Sequence, residues 1–276
     1  MSGREEAGGS GDGALVVLLP GNPAIPGIYD GFVDSLKAFT GCSAAVTLTH
    51  YGQEPASARI ESERSLERLV ERHRDEILGL VSSRRADRVY LLGHSLGAAV
   101  AVALHGELSA AVPQLRLVLI CPFLGPRGRN RRFLQAMAVP AINRTVRSAL
   151  RRLLASEGLS LRLLRRRLQL GDAAEPVYRA LRGGAFFDNF ALLIADYVRF
   201  FGSRDLAGQL HQLPLQDTLF VLAGDDFWVP PEVIAELPAA AGCRHLADIA
   251  HAFCVHPQQS RAVARVAAAF LTGAGA

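Results

Sequence analysis

Residues 89–101 read VYLLGHSLGAAVA, and the run without charge continues to Gly106. Its first half is β-type and apolar, its second half is small and apolar, and Gly-His-Ser-Leu-Gly joins the two. Three readings compete: a buried strand and helix that contain a serine, a membrane span, or a turn that holds Ser95 out for chemistry. The length alone would permit a span. However, Gly93, His94, Ser95 and Gly97 fall near its centre and the run begins as a strand. A strand followed by a buried helix explains it better, and no transmembrane span is expected.

Five further apolar runs surround it: 14–20, 43–50, 115–122, 218–224 and the more mixed 243–250. With 88–94 they make six candidate strands. The first five in chain order are near-continuous apolar runs, the pattern of strands buried on both faces of a parallel sheet; the sixth is expected nearer an edge. Helical patterns lie between them. Residues 60–83 carry Leu66, Leu69, Val70, Ile77, Leu78 and Val81 at three- and four-residue spacings among charges, an amphipathic helix. A last helix is expected from near Pro257 to Gly273. Alternating strands and helices predict an α/β fold with a mostly parallel central sheet flanked by helices.

Residues 123–217 break this rhythm: they hold helix-like segments and no clear strand. Such an interval is expected to be an inserted helical cap, with the α/β core formed by 14–122 and 218–276. The interval holds 16 Arg against 7 acidic residues, a net of +9, whereas the whole chain of 276 residues carries only +4. The basic charge therefore sits in the insertion. Lys37 is the only lysine, so the Arg and Ala richness reads as compositional bias, and no nucleic-acid partner is expected. Residues 1–13 are polar and Gly-rich and predict a disordered tail without a secretion signal. Cys42, Cys121, Cys243 and Cys254 form no Cys-x-x-Cys pair; they read as reduced, buried thiols.

Gly-x-Ser-x-Gly between a strand and a helix is the pattern of a nucleophile elbow. Glycines two before and two after the serine leave room for a strained turn that lifts Ser95 Oγ above the carboxyl ends of the strands. A serine hydroxyl needs a base within reach and a carboxylate to orient that base. In this architecture the acid follows the strand after the insertion and the histidine follows the last strand. The order found is Ser95, then LAGDDFWVP (222–230), then ADIAHAFCVHP (247–257). Asp226 is the preferred acid with Asp225 as its rival, and His251 the preferred base with His256 as its rival. Asp248 reads as a strand or edge carboxylate, and Cys254 as structural. Among the other histidines, His50 is a candidate for the pocket wall and His94 for packing beside the elbow. His73 and His105 read as solvated or structural, and His211 and His245 have no evident partner. Oxyanion donors are expected from the N–H of Leu96 and from that of Asn22 in LLPGNPAIPG (18–27), whose prolines hold the turn rigid. No His or Cys grouping has metal-ligand spacing and no phosphate-binding glycine pattern is present, so no metal or cofactor is expected.

Taken together, PGNPAIPGIYDGF (20–32), LLGHSLGAAVA (91–101), GDDFWVP (224–230) and AHAF (250–253) resemble the lipid droplet-associated hydrolases, an α/β-hydrolase family. The resemblance runs from Leu15 to the last helix, with the insertion alike in length and character only. It places the family's Ser, Asp and His on Ser95, Asp226 and His251. It departs at Ala24 and Phe227, where the family usually has Gly and Pro, and the chain enters its first buried strand almost directly, without the usual N-terminal strands. The resemblance implies hydrolysis of sterol esters or acylglycerols at the lipid droplet surface or the cytosolic face of the endoplasmic reticulum, with a cytosolic pool. The alternative is a droplet-surface interaction protein with little or no turnover.

Within the insertion, 185–201 puts Phe186, Phe190, Leu193, Ile194, Tyr197 and Phe201 near one helical face. This is either packing of the cap on the core or a wall of an acyl-chain pocket, with Phe186, Phe190 and Tyr197 as candidate substrate contacts. Residues 131–147 hold an 11-residue uncharged stretch between Arg clusters, too short to span a bilayer. It and the Arg-rich 161–170 are candidates for contact with a lipid surface through the basic cap, against the plainer alternative of solvated basic helices.

Overall fold

A computed structural model of the chain describes residues 13–22, 24–25, 27–50, 65–167, 174–182, 186–237 and 242–273. Six strands form one wholly parallel sheet: β1 Ala14–Leu19, β2 Ala44–Thr47, β3 Arg88–His94, β4 Gln114–Ile120, β5 Thr218–Ala223 and β6 Gly242–Leu246, in the spatial order β2-β1-β3-β4-β5-β6. β1 and β5 are buried along their whole length, and β3 beyond its first residue. Their uninterrupted apolar runs are thus explained by cover on both faces. β2, in contrast, is half-buried at every residue because it forms one edge of the sheet; its apolar run is not that of a central strand. β6 forms the other edge. It ends at Leu246, so Asp248 lies in an exposed turn and not in a strand. The same edge leaves Cys243 exposed, unlike the buried Cys42, Cys121 and Cys254.

The connections explain where a site can form. β1 leads through α1 (Asp30–Thr40) to β2 on one side, whereas β3 leads through α3 (Leu96–Ala111) to β4 on the other. Right-handed crossovers running in opposite directions put the two helices on opposite faces. The chain therefore splays apart at the carboxyl ends of β1 and β3, leaving the crevice in which open α/β sheets bind their ligands. α2 (Leu66–Arg84) packs beside α3, and the last helix, α11 (Pro257–Thr272), beside α1, each covering one face. The first residues of the expected helix from Ile60, and the tail 1–12, lie outside the described residues.

Between β4 and β5 the chain forms α4 (Gly128–Met137), α5 (Pro140–Ala155), α6 (Glu157–Arg167), α7 (Ala174–Arg182), α8 (Phe186–Ser203) and α9 (Leu206–His211). The uncharged stretch 133–143 is not one helix. Pro140, without an N–H to donate, takes the first turn of α5 and splits the stretch there. Asn143, buried in α5, ties the pieces: its Nδ2 donates to the carbonyls of Met137 (3.3 Å) and Ala191 (2.7 Å). Asp196 of α8 reaches the core by accepting the Leu66 N–H at 2.7 Å, which helps to cap α2. The last short helix, α10 (Pro231–Ala235), follows β5.

Candidate active site

The turn after β3 behaves as its glycines require. Ser95 has φ 53 and ψ −116, a conformation that a non-glycine residue adopts only under strain. Two bonds hold it there: its N–H donates to Ile120 O at 2.9 Å, and its carbonyl accepts the Phe123 N–H at 3.1 Å. A Cβ on Gly93 would lie 2.5 Å from Ala98 Cα, and one on Gly97 would collide with the Leu19 carbonyl. Only glycine lets α3 start this close to β1 and β3. The Leu96 N–H opens α3 directly after Ser95, so the positive end of the helix dipole lies at the serine.

Residues distant in the chain meet at this turn. Ser95 Oγ lies 2.9 Å from His251 Nε2, and His251 Nδ1 lies 2.7 Å from Asp226 Oδ2. A carboxylate accepts only, so Nδ1 carries the imidazole proton and Nε2 is left to accept from Ser95. The second Asp226 oxygen, Oδ1, accepts the Trp228 N–H at 2.8 Å. Burial alone would raise the Asp226 carboxyl. The bonds from His251 and Trp228 outweigh it and hold the group below the usual carboxylate range. Asp226 is 5% exposed, whereas Asp225 is turned to solvent. Of the two adjacent acids, it is Asp226 that faces the imidazole.

His256 sits at the N-cap of α11, while His251 lies on the loop between β6 and that helix. Four residues separate the end of β6 from His251, where the sequence pattern has the strand run directly into it. The Ala250 N–H donates to Gln259 Oε1 at 2.9 Å, which ties this loop to α11. His50 and His73 are both buried and pair with each other at 3.4 Å, and Glu76 Oε2 accepts from His73 Nδ1 at 2.9 Å. His73 is therefore structural and not solvated. His105 is half-buried, His211 is exposed, and His245 donates from Nε2 to Ala223 O at 2.8 Å. Cys254 is buried, and burial pushes its thiol up to about 12, which disfavours the thiolate a nucleophile needs.

The loop after β1 lies against Ser95. A Cβ on Gly21 would meet His94 Nδ1 at 2.8 Å and Ser95 Cβ at 3.1 Å. Asn22, next along, is half-buried, and its side chain hydrogen-bonds with the Tyr197 hydroxyl. Pro23 and Pro26 lie outside the described residues. Tyr197 is buried against Phe123, with ring centroids 5.1 Å apart, and Phe201 and Trp228 pack edge-on to Phe123. Of the three residues expected to touch substrate, Tyr197 is thus brought to the loop beside Ser95. Phe186 and Phe190 lie in α8, and their side chains lie outside the described residues.

Two features were not foreseen. Tyr29 and His94 form a buried hydrogen-bonded pair, Tyr29 Oη to His94 Nδ1 at 2.6 Å, that joins the loop after β1 to the elbow. Asn130 is also fully buried; its Oδ1 accepts the Arg127 N–H at 3.0 Å, and its Nδ2 donates to the carbonyls of Phe227 (3.3 Å) and Trp228 (3.4 Å). It braces the loop that carries Asp226 against α4. Neither contact leaves a local periodic signal.

One cluster among the described residues brings three potential metal ligands together: His94, Cys121 and His251, within 4.8 Å of one another. Both nitrogens of each ring already have hydrogen-bond partners. Burial pushes the Cys121 thiol well up, which disfavours the thiolate a metal requires. The cluster fits a hydrogen-bonded site better than a metal site.

The sequence model of the lipid-droplet associated hydrolases matches residues 12–254. The chain belongs to that family. This hydrolase is also similar in structure to an enol-lactonase from Burkholderia xenovorans (TM-score 0.60, 15% identity, covering 94% of this chain and 92% of that one). A haloalkane dehalogenase from Bradyrhizobium elkani gives TM-score 0.61 at 18% identity, covering 100% and 94%. A thermophilic esterase from Thermogutta terrifontis gives 0.60 at 18% identity, covering 93% and 89%. At such identities the likeness is one of fold, and the fold it shows for this lipid-droplet associated hydrolase is the α/β-hydrolase fold. No curated protein matches the hydrolase in sequence.

Proposed function

We propose that the protein is a serine carboxylester hydrolase that cleaves hydrophobic lipid esters. The observation that carries this reading is the line Ser95 Oγ, His251 Nε2 and Nδ1, Asp226 Oδ2, with links of 2.9 Å and 2.7 Å, built on a strained turn at the carboxyl ends of the strands. Ser95 Oγ attacks the ester carbonyl carbon while its proton passes to His251 Nε2, and Asp226 stabilises the resulting imidazolium. The carbonyl electrons move to oxygen, and the N–H groups of Leu96 and Asn22 receive that oxyanion. The tetrahedral adduct collapses, the alcohol leaves with the His251 proton, and an acyl-enzyme remains. Water then attacks with His251 as base, releasing the acid and restoring Ser95.

The substrate class rests on family membership and on surface character. Phe133, Val139, Ile142 and Phe227 are exposed, and Phe133 and Phe227 both pack against Trp228 on the Asp226 loop (6.0 Å and 5.0 Å between centroids). The exposed Arg131, Arg132 and Arg144 lie on the same helices, α4 and α5. Apolar side chains flanked by cations suit a droplet or membrane surface, and the reading takes the protein to act there. Among the described residues no helix is long and apolar enough to cross a membrane.

The test offers purified protein emulsions of cholesteryl oleate and of trioleoylglycerol, with Ser95→Ala as control. Release of oleate that depends on Ser95 is the expected result. Turnover of a short soluble ester with none of either emulsion would remove the lipid assignment. Flotation with the droplets but no turnover of any ester would favour a droplet-surface protein over an enzyme.

A further inference from the structure

Three loops meet at Ser95, and one buried chain of hydrogen bonds ties them together. The Gly21 N–H donates to Tyr29 Oη at 2.8 Å, Tyr29 Oη lies 2.6 Å from His94 Nδ1, and His94 Nε2 lies 2.8 Å from the backbone carbonyl of His251. Both ends of this chain are backbone groups, so its proton positions are determined. The His251 carbonyl can only accept, hence His94 Nε2 carries the ring proton. Nδ1 can then only accept, hence the Tyr29 hydroxyl donates to it. The Tyr29 oxygen, its proton spent, accepts from Gly21. One arrangement satisfies every group without water, which matters because Tyr29 and His94 are both buried. Burial also holds the His94 imidazole down at about 3, so the neutral ring this arrangement needs persists. Phe253 packs edge-on to His94 at 5.1 Å and to Phe32 at 5.4 Å, which locks the ring.

We propose that Tyr29 and His94 are positioning residues that set the orientation of the Gly21–Asn22 backbone and so hold the Asn22 N–H toward the oxygen that develops charge at Ser95. Two features make the coupling physical. The Gly21 N–H is committed to Tyr29 and is not the loop's oxyanion donor; the ester-hydrolase reading gives that part to the Asn22 N–H. Gly21 also touches both the His94 ring and Ser95 so closely that a Cβ there would meet each. A shift of the Tyr29 hydroxyl therefore moves the loop against the nucleophile. The same chain ties His94 to the backbone of the residue that acts as base, so donor loop, elbow and base are held in one register. This proposal rests on the ester-hydrolase reading above.

The test uses the full chain, p-nitrophenyl butyrate as ester and phenylboronic acid as a probe that forms a tetrahedral anion on an active serine. Tyr29→Phe removes one hydroxyl and nothing else. It is expected to lower kcat/KM about 10- to 100-fold, somewhat less than the 10²–10³ of deleting an oxyanion donor outright, with KM little changed. The affinity for phenylboronic acid should fall by the same factor. His94→Asn, which keeps an acceptor near the Nδ1 position, should retain more activity than His94→Leu, which keeps none. Should His94→Leu fail to fold, Tyr29→Phe carries the test. Tyr29→Phe within about twofold of wild type in both rate and boronic acid affinity would overturn the proposal. So would a rate loss with unchanged boronic acid affinity, since a merely structural effect has no reason to follow the tetrahedral anion. A wild type without Ser95-dependent hydrolysis would instead sink the ester-hydrolase reading, and this proposal with it.

Discussion

Asp226→Asn is the sharpest probe of how the imidazole is oriented. The substitution preserves shape, and the new amide oxygen can still accept the Trp228 N–H that Oδ1 accepts at 2.8 Å. That requirement puts the NH₂ group where Oδ2 stood, 2.7 Å from His251 Nδ1. Two donors cannot face each other at that distance, so the ring must take the other tautomer, with Nδ1 accepting and the proton on Nε2. Nε2 then presents a proton to Ser95 Oγ at 2.9 Å and cannot act as base. The equivalent change in a serine-protease triad lowers kcat about 10⁴-fold, which at about 1.4 kcal/mol per factor of ten is on the order of 5 kcal/mol of transition-state stabilisation. A loss of about 10³- to 10⁴-fold in p-nitrophenyl butyrate hydrolysis is expected, with the thermal midpoint little changed. Asp225→Asn, at a solvent-facing position, should stay within about twofold of wild type. Asp226→Asn within tenfold of wild type, or a larger loss at Asp225, would mean that Asp226 does not orient the imidazole.

Two other outcomes follow from the same geometry. Gly97→Ala would press a methyl group into the Leu19 carbonyl and should cost about 3 kcal/mol or more, a fall of about 6–12 °C in Tm; Gly106→Ala, a helix-interior site with no heavy atom within 4 Å of the added methyl, should instead be neutral or stabilising by up to about 1 kcal/mol. His94 is held at about 3 in the folded protein, below the ordinary imidazole value of 6.5. The unfolded chain therefore takes up a proton below pH 6.5 that the folded chain refuses, and stability present above 6.5 is lost progressively down to about pH 3. The loss is at most on the order of 5 kcal/mol at 1.36 kcal/mol per unit. Buried His50, also held down by burial and by neighbouring His73, acts in the same direction. Thermal melts from pH 7 to pH 4 should show a falling Tm, with a shallower fall in His94→Gln; a flat profile would contradict this.

The parts of the architecture legible in the sequence are those with local patterns. Buried strands such as 14–19 and 218–223 are continuous apolar runs, and the elbow declares itself through two glycines whose replacement would collide with neighbouring backbone. Edges were harder: the run around β2 is near-continuously apolar in sequence, and its place at the end of the strand order leaves it half-covered. Asp225 and Asp226 are chemically identical neighbours, and only the direction of the loop after β5 turns one inward. Tyr29, His94 and the His251 carbonyl meet across 65 and 157 residues of chain, and no periodicity links such positions. Cys243 reads as buried because it opens a strand-like run, but the edge strand leaves it exposed.

The proposed mechanism requires Ser95 to be an activated nucleophile. Its most direct test is to label the purified wild-type protein with a fluorophosphonate and to map the modified peptide by mass spectrometry. One adduct is expected, on Ser95, absent in Ser95→Ala and strongly slowed in His251→Ala. A wild type that labels no faster than Ser95→Ala, or an adduct on another residue, would contradict it.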